Sequence, residues 1–417
     1  MQKKPLVLYV GVVRKGEFES LLQRELPLGV ILDTNSTIRS AELNAFCTVE
    51  YCDFSTSEET ILRAVDTIQQ QWPIGCILVT HERYVLSGAM ITEHLGLPGF
   101  SKEAALLCLD KSLMHERFVQ RIGSQSTARF KKVSSKKELM AFAQNTGLPI
   151  ILKPTNLYNS LFVSLNWSQE ELLQNYEVVV RELQGFLQKA GQYHVSPSIQ
   201  AEEFLQGSTY SIDCIVDSAG NVTLTPIVDI ISGRDIGWSD FHHFARVVPS
   251  RLTTSQQEAL YSLAVAGVQA LEIRSNIAHV ELVQTSQGPK LLEIGARPGG
   301  NRARLFDLSS GIDLIYAYYQ VRSGMKAEIE YRQTVPTAIV SPYSRKQGVL
   351  TEIRHLDRIT QLKTYFAHEV KVNPGQAVGP SASGYTAPLS IELRSELASD
   401  LYQNMQEIQS WQDLFLI

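Results

Sequence analysis

The stretch Ala278–Arg304 reads AHVELVQTSQGPKLLEIGARPGGNRAR. Two apolar-alternating runs, Ala278–Val283 and Lys290–Ile294, flank a polar turn ending in Gly288, the pattern of a β-hairpin with a short Gly-containing loop. In the register that pairs Glu281 with Glu293 the turn centres on Gln287, and the two carboxylates point to one face. Cross-strand partners stand roughly 5 Å apart and like charges directly opposite destabilise a sheet, so such a hairpin wants a cation between its acids. Carboxylate oxygens suit a hard ion such as Mg²⁺, which keeps several waters and binds through one or two carboxylates plus substrate phosphates. That points to a nucleotide rather than to a closed structural metal cage. Arg297 follows Glu293 closely, and Pro298-Gly299-Gly300 stops the strand and leaves backbone near whatever the acids hold. The spacing alone also fits two solvated acids on an edge hairpin.

Composition limits what this hairpin belongs to. A chain of 417 residues exceeds the usual ceiling for one hydrophobic core, so two or three domains are expected. With 44% apolar residues, a net charge of −5 and no long basic run, nothing suggests a nucleic-acid footprint. Anionic ligands must then be met by local lysines and arginines. The five cysteines, Cys47, Cys52, Cys76, Cys108 and Cys214, are scattered and lack C-x-x-C spacing, which fits a reducing compartment without a zinc site. The apolar run near Met1 is too short for a secretory signal, and no stretch approaches the ~20 apolar residues that span a bilayer. A soluble cytoplasmic protein is expected.

In chain order, Pro5–Val13 is an uninterrupted apolar run typical of a strand buried on both faces, and Val30–Asp33 and Gly75–Thr80 repeat it. Helical periodicities at Glu17–Glu25 and Ser57–Gln71 lie between them, so the first ~100 residues read as alternating β and α around a parallel sheet. Gly11 is followed by Val12-Val13-Arg14, so the dinucleotide fingerprint G-x-G-x-x-G is absent. His81-Glu82-Arg83 reads mainly as a polar loop capping Tyr84–His94, although a loop after a parallel strand also suits a cleft.

A helix-rich connection, Lys102–Gly123, places Lys111 ahead of an amphipathic helix, and Ile150-Ile151-Leu152-Lys153-Pro154 puts Lys153 at the end of a buried strand. Each lysine alone reads as a surface charge; with the acidic hairpin they supply the positive partners of a triphosphate. Ser198–Leu205 and Thr209–Val216 read as strands with Gln206-Gly207-Ser208 turning between them, which gives Gln200–Leu205 an accessible edge for an adenine ring. Ile151, Phe204 and Leu292 are its candidate walls. Ile231–Arg246 reads as a long functional loop, and Thr253–Ile273 as a helix. Pro336–Ile417 reads as a small α+β lid ending in an amphipathic helix, Arg394–Gln409.

Gly96-Leu97-Pro98, Asp110-Lys111, Ile151-Leu152-Lys153-Pro154, Glu202-Glu203-Phe204-Leu205 with Gly207, Glu281, and Glu293-Ile294-Gly295-Ala296-Arg297-Pro298-Gly299-Gly300 follow one another as in the ATP-grasp carboxylate–amine ligases. Over residues 5 to 325 the chain resembles that family, and most of all its L-amino-acid (dipeptide-forming) ligase group. The resemblance implies an α/β and α+β protein: an N-terminal Rossmann-like domain (1–105), an ATP-grasp core (106–330, in which 127–206 include a smaller nucleotide-covering subdomain) and a C-terminal α+β domain (331–417). It implies that Lys111 and Lys153 hold ATP phosphates and that Glu202, with Glu203 and the Phe204–Leu205 backbone, holds adenine. Glu281 and Glu293 would bind Mg²⁺, or Mn²⁺ in its place, and Arg297 would stabilise an acyl phosphate or tetrahedral intermediate.

The reaction implied is ATP-dependent joining of a small carboxylate to an amine, in a monomer or homodimer. An ATP-grasp carboxylase or formyl-phosphate enzyme, or a nucleotide-binding relative without turnover, is the alternative. The sequence departs from the family pattern in three places. Asn156–Leu161 has no glycine where many members carry a glycine-rich phosphate loop, so Ser160 and the backbone are expected to substitute. Gly295 stands where an Asn metal ligand is usual, and Thr209 where a ribose-binding Glu is common. Arg246, with His242 and His243 just upstream, reads as a carboxylate clamp or equally as a solvent-facing arginine; Gly300 and Asn301 join these as the expected substrate side.

Overall fold

An apolar run without alternation must be covered on both faces, and LVLYVG at Leu6–Gly11 (β1) is buried along its whole length. The structure is a computed structural model that describes residues 4–34, 43–157, 161–190 and 198–417, with residues 184–190 described by their backbone only. Parallel strands flank β1: β2 (Leu28–Asp33) and then β3 (Thr48–Cys52) on one side, β4 (Ile74–Leu78) on the other. The sequence reading misses β3 because it is an edge strand in which only Cys52 is buried. Helix α1 (Glu58–Gln69) starts at the Ser57 cap and turns Ile61, Val65 and Ile68 to the sheet. Helix α2 (Val85–Leu95) ends where Gly96 takes a left-handed conformation, φ 64°, as a helix C-terminus favours.

Gly11 serves packing rather than phosphate. Its φ is +92°, and a Cβ there would stand 2.1 Å from a Tyr84 ring atom. That ring is held in place by its hydroxyl, which donates to Asp33 Oδ2 at 2.9 Å.

Asp110 caps α3 (Lys111–Arg121) by accepting from the Ser112 and Leu113 N–H groups. A four-stranded antiparallel sheet follows, built from β5 (Phe130–Val133), β6 (Ile150–Pro154), β7 (Ser164–Asn166) and β8 (Ile199–Glu203) in the order β5-β8-β6-β7. Helices α4 (Lys136–Thr146) and α5 (Gln169–Ala190) pack on it over Leu139, Phe142, Ile150, Leu152 and Leu172. The accessible edge expected for Gln200–Leu205 is corrected here. β8 is an interior strand, bonded to β5 on one side and β6 on the other through Ile199–Glu203, and only Phe204 and Leu205 lie beyond its end.

The chain then crosses into a nine-stranded sheet. Its strands are β9 (Gly207–Val216), β10 (Val222–Leu224), β11 (Val228–Ser232), β12 (His243–Val248), β13 (Asn276–Thr285), β14 (Gly288–Gly295), β15 (Thr337–Val340), β16 (Tyr365–Val370) and β17 (Leu389–Arg394). The order is β14-β13-β9-β11-β12-β15-β17-β16, with β10 paired to β9. The turn expected over Gln206–Ser208 is therefore only partly a connection: Phe204–Gln206 pass between the two sheets, and Gly207 and Ser208 already pair within β9. The long loop expected over Ile231–Arg246 is likewise corrected: β11 and β12 pair with Ile230 opposite Arg246, and Arg246 sits within a strand.

Helix α6 (Thr254–Ala270) covers one face of this sheet, with Leu260, Ala264 and Val268 against Leu282, Leu291 and Ile294. Helices α7 (Arg302–Ser310) and α8 (Leu314–Arg322) cover the other, with Tyr318 in a core shared with β1 and β2. The C-terminal segment adds β15, β17 and β16 to the sheet through β12, and α9 (Ala398–Ser410) closes the core beneath them. No helix among the described residues is long and apolar enough to cross a membrane.

Left-handed strain of roughly 1–2 kcal/mol and overpacking of about 1–3 kcal/mol add at Gly11. Gly11→Ala should therefore lower unfolding stability by roughly 2–5 kcal/mol, measured by urea denaturation; a change within experimental error would show that Tyr84 yields freely.

Candidate active site

The hairpin β13–β14 pairs His279 with Gly295, Val280 with Ile294 and Glu281 with Glu293, as the charge pattern predicts. Beyond that pair the register slips, so that Leu282 faces Leu291 and Thr285 faces Gly288. The bulge makes Leu292 the extra residue and moves the turn to Ser286-Gln287. A bulge re-aims side chains next to a site; here Leu292 joins Glu281 and Glu293 on the wall of one cavity.

The opposed acids are relieved from different directions. Lys111 Nζ lies 3.1 Å from Glu293 Oε1 and also donates to the Leu157 carbonyl at 2.8 Å. Glu281 Oε1 lies 3.3 Å from His279 Nε2 and 4.0 Å from His243 Nε2. Burial opposes charge on Glu281, but the hydrogen bond with His279 holds its carboxyl far below the usual carboxylate range. His279 is buried too, yet Asp213 at 3.1 Å and Glu281 raise its pKa. Burial pushes His243 down to about 3, so it stands neutral beside the acid.

Lys153 Nζ reaches Glu202 Oε1 at 2.6 Å. Glu202 also accepts from Gln200 Nε2 at 2.6 Å and lies 3.7 Å from His115, so its side chain is engaged within the protein, while the Phe204 N–H donates to the Pro149 carbonyl at 3.4 Å. Glu203 is held by Arg129 at 3.1 Å. Ile151, Phe204, Leu205 and Leu292 form the apolar end of the cavity, while Lys111, Lys153, Glu281 and Glu293 form its charged end. Thr209, Arg234 and Asp235 also line it. Ser160 lies outside the described residues.

Arg297 Nε is 2.7 Å from Glu82 Oε2; burial disfavours its charge, but Glu82, Glu293 and Glu281 raise its pKa. The His81–Arg83 loop thus does more than the capping expected of it. His81 accepts from the Arg83 N–H, while Glu82 crosses to the hairpin arginine. Arg246 lies on the Glu281 side, with contacts of 3.4 Å to the His243 carbonyl and to Ser341 Oγ. His242, by contrast, is buried between Trp238 and Tyr343 and bonded to Asp240 at 2.5 Å. Asn301 opens α7 at φ 62°, and the Gly300 carbonyl accepts from Arg302 at 3.1 Å.

Sequence reasoning missed His279, Asp213 and Arg302, and left Glu82 open between a cap and a cleft residue. His279 was accessible through strand periodicity, since it precedes Glu281 by two positions and shares its face; the others depend on tertiary placement. The facing acids are a hard oxygen pair suited to Mg²⁺. Both line one cavity, so a cation there would take two carboxylates from the protein and the rest of its shell from phosphate and water.

Residues 146–304 match the ATP-grasp domain family. It is similar to the crystal structure of an L-amino acid ligase from Bacillus licheniformis, at 19% identity with TM-score 0.85, over 100% of this chain and 99% of that one. It is 25% identical over 258 residues to the alanine–anticapsin ligase of Bacillus subtilis strain 168, covering 60% of this chain and 53% of the relative. To the D-alanine–D-alanine ligase of Pelotomaculum thermopropionicum it is 24% identical over 309 residues, 67% of this chain and 90% of that protein. The chain thus spans about half the length of the alanine–anticapsin ligases it matches.

Removing one partner of a buried pair leaves an uncompensated charge and costs about 3–5 kcal/mol. Lys153→Met should lose stability on that scale, and Lys153→Met with Glu202→Gln should recover at least half, by urea denaturation. Equal losses in both variants would show that Lys153 does not neutralise Glu202.

Proposed function

We propose that the chain joins a carboxylate to an amine at the expense of ATP, through an acyl phosphate, releasing ADP and phosphate. The observation that carries this reading is the charged end of the cavity: Glu281 opposite Glu293, with Lys111, Lys153 and the Glu82-bound Arg297 around them. A free carboxylate resists amines because it lacks a leaving group; phosphorylation supplies one. When bound, Mg²⁺ between Glu281 and Glu293 would neutralise charge on the transferring phosphoryl group, a task Mn²⁺ could share. Lys111 and Lys153 position the phosphates, the Phe204–Leu205 backbone with Ile151 and Leu292 seats adenine, and Arg297 bears on the acyl oxygens. Residues 127–206 cover the nucleotide, while residues 1–105 present Glu82 and residues 331–417 support the substrate side. ATP use together with free cysteines fits a cytoplasmic setting.

Hydroxylamine traps an acyl phosphate as a hydroxamate. With a competent acid, ATP and Mg²⁺ but no amine, hydroxylamine should give hydroxamate and ADP, and ¹⁸O from the carboxylate should appear in phosphate. AMP and pyrophosphate would overturn the mechanism. Glu293→Ala should stay folded by circular dichroism while kcat falls at least about 10²-fold; near-normal turnover would remove the hairpin from the chemistry.

A further inference from the structure

The face of the large sheet that carries Glu281 continues past it. Paired residues share a face, and the ladder runs from Glu281 to Ser211 and from Ser211 to Val228. Two residues on, Ile230 pairs with Arg246, so Arg246 shares Glu281's face. The register shift between Ile231 and Ser232 brings His243 to the same side. The ladder then passes through Ile339 and Glu392 to Ala367, and Lys371 follows on that side just past β16. Arg302 opens α7 over this region, and Arg14 Nη1 lies 4.0 Å from where a Cβ of Gly300 would stand.

Charge here is unevenly matched. Glu392 is gripped by Arg304 through contacts of 2.9 and 2.8 Å, and Asp213 by His279 and the Gly299 N–H. Arg246, Arg302 and Lys371 have no carboxylate in ion-pair contact among the described residues. Arg302 donates to Ser211 Oγ at 2.7 Å instead, and Arg246 Nε is buried with no partner at all. An unmet buried donor costs about 1–3 kcal/mol, more when charged, so retaining one beside other cations calls for an acceptor. Burial and Arg246 push Arg302 down to about 10; burial lowers Lys371 against the opposing charge of Glu369, with Arg246 and Arg14 adding to the shift.

We propose that Arg246 and Lys371 form a subsite for a second anionic group on the acid substrate, so that the acid is a dicarboxylate. One carboxylate lies at the Glu281–Glu293 and Arg297 end for activation, and the other is held by Arg246 and Lys371. An ammonium on that side of the substrate would meet Arg246, Arg302 and Lys371, since Glu392 and Asp213 are already engaged and only the exposed Glu369, two residues before Lys371, is an acid on that side without an ion pair among the described residues. This inference rests on the ligase reading.

The test is calorimetry on the full chain with Mg²⁺ and a non-hydrolysable ATP analogue, comparing succinate, glutarate and adipate with butyrate, pentanoate, hexanoate and alanine. At least one dicarboxylate should bind about tenfold or more tightly than its monocarboxylate partner and alanine, the scale of one charge-assisted hydrogen bond. Arg246→Met should erase that preference without weakening the monocarboxylate. Lys371→Met, at the end of a strand, makes the same test if the first variant folds poorly. Absence of any dicarboxylate preference overturns the proposal, as does loss of affinity in these variants only for an amino acid supplied as the amine. The ligase reading fails separately, if no acid yields ADP with hydroxylamine; ADP release driven equally by monocarboxylates would sink the dicarboxylate subsite alone.

Discussion

Glu281 and Glu293 face each other across one rung of a hairpin, a placement that costs stability unless positive charge arrives. Much of the fold supplies it. α3 delivers Lys111 because Asp110 caps the helix and leaves Lys111 at its first turn. β13 delivers His279 from the position two before Glu281, and Asp213 on the neighbouring strand raises the pKa of that imidazole. The pair is not neutralised as a closed ion cluster, since His243 is held uncharged beside it. What remains is an anionic site partly compensated by Lys111 and His279, at which a divalent ion would meet two carboxylates and could bring phosphates with it.

Two sheets meet at this point. The smaller brings Lys153 on an interior strand, and Glu202 on the adjacent strand orients the ammonium. The larger continues from the hairpin through β12 into the C-terminal strands, so the face that carries the paired acids passes by way of the apolar Val228, Ile230 and Ile339 to Arg246 and on toward Lys371. The N-terminal parallel sheet contributes from its carboxyl ends, where ligands gather in open α/β folds: Glu82 follows β4 and Arg14 follows β1.

The parts legible in the sequence were those governed by short-range periodicity. The alternation through Ala278–Val283 showed which side chains share a face, while the register opposing Glu281 to Glu293 was assumed from the sequence and is the one the ladder adopts, with a bulge at Leu292 that alternation did not show. Continuous apolar runs marked β1, β2 and β4. Strand neighbourhood was not legible, because alternation does not say which strand lies alongside. β8 therefore read as an edge although β5 and β6 flank it, and Arg246 read as a loop residue although β11 pairs with it. Glu82 was ambiguous for a related reason: its partner, Arg297, is distant in sequence, and a polar loop after a strand has a sufficient local role as a cap.

The central claim is that the opposed acids exist to bind a nucleotide-linked divalent cation. Titration of a non-hydrolysable ATP analogue into wild type and into Glu281→Gln/Glu293→Gln, with and without Mg²⁺, addresses it directly. Affinity in the wild type should rise at least about tenfold with Mg²⁺, a gain of about 1.4 kcal/mol, and the double variant should lose that gain while binding the metal-free analogue no worse. A wild type indifferent to Mg²⁺, or a gain that survives loss of both carboxylates, would contradict it.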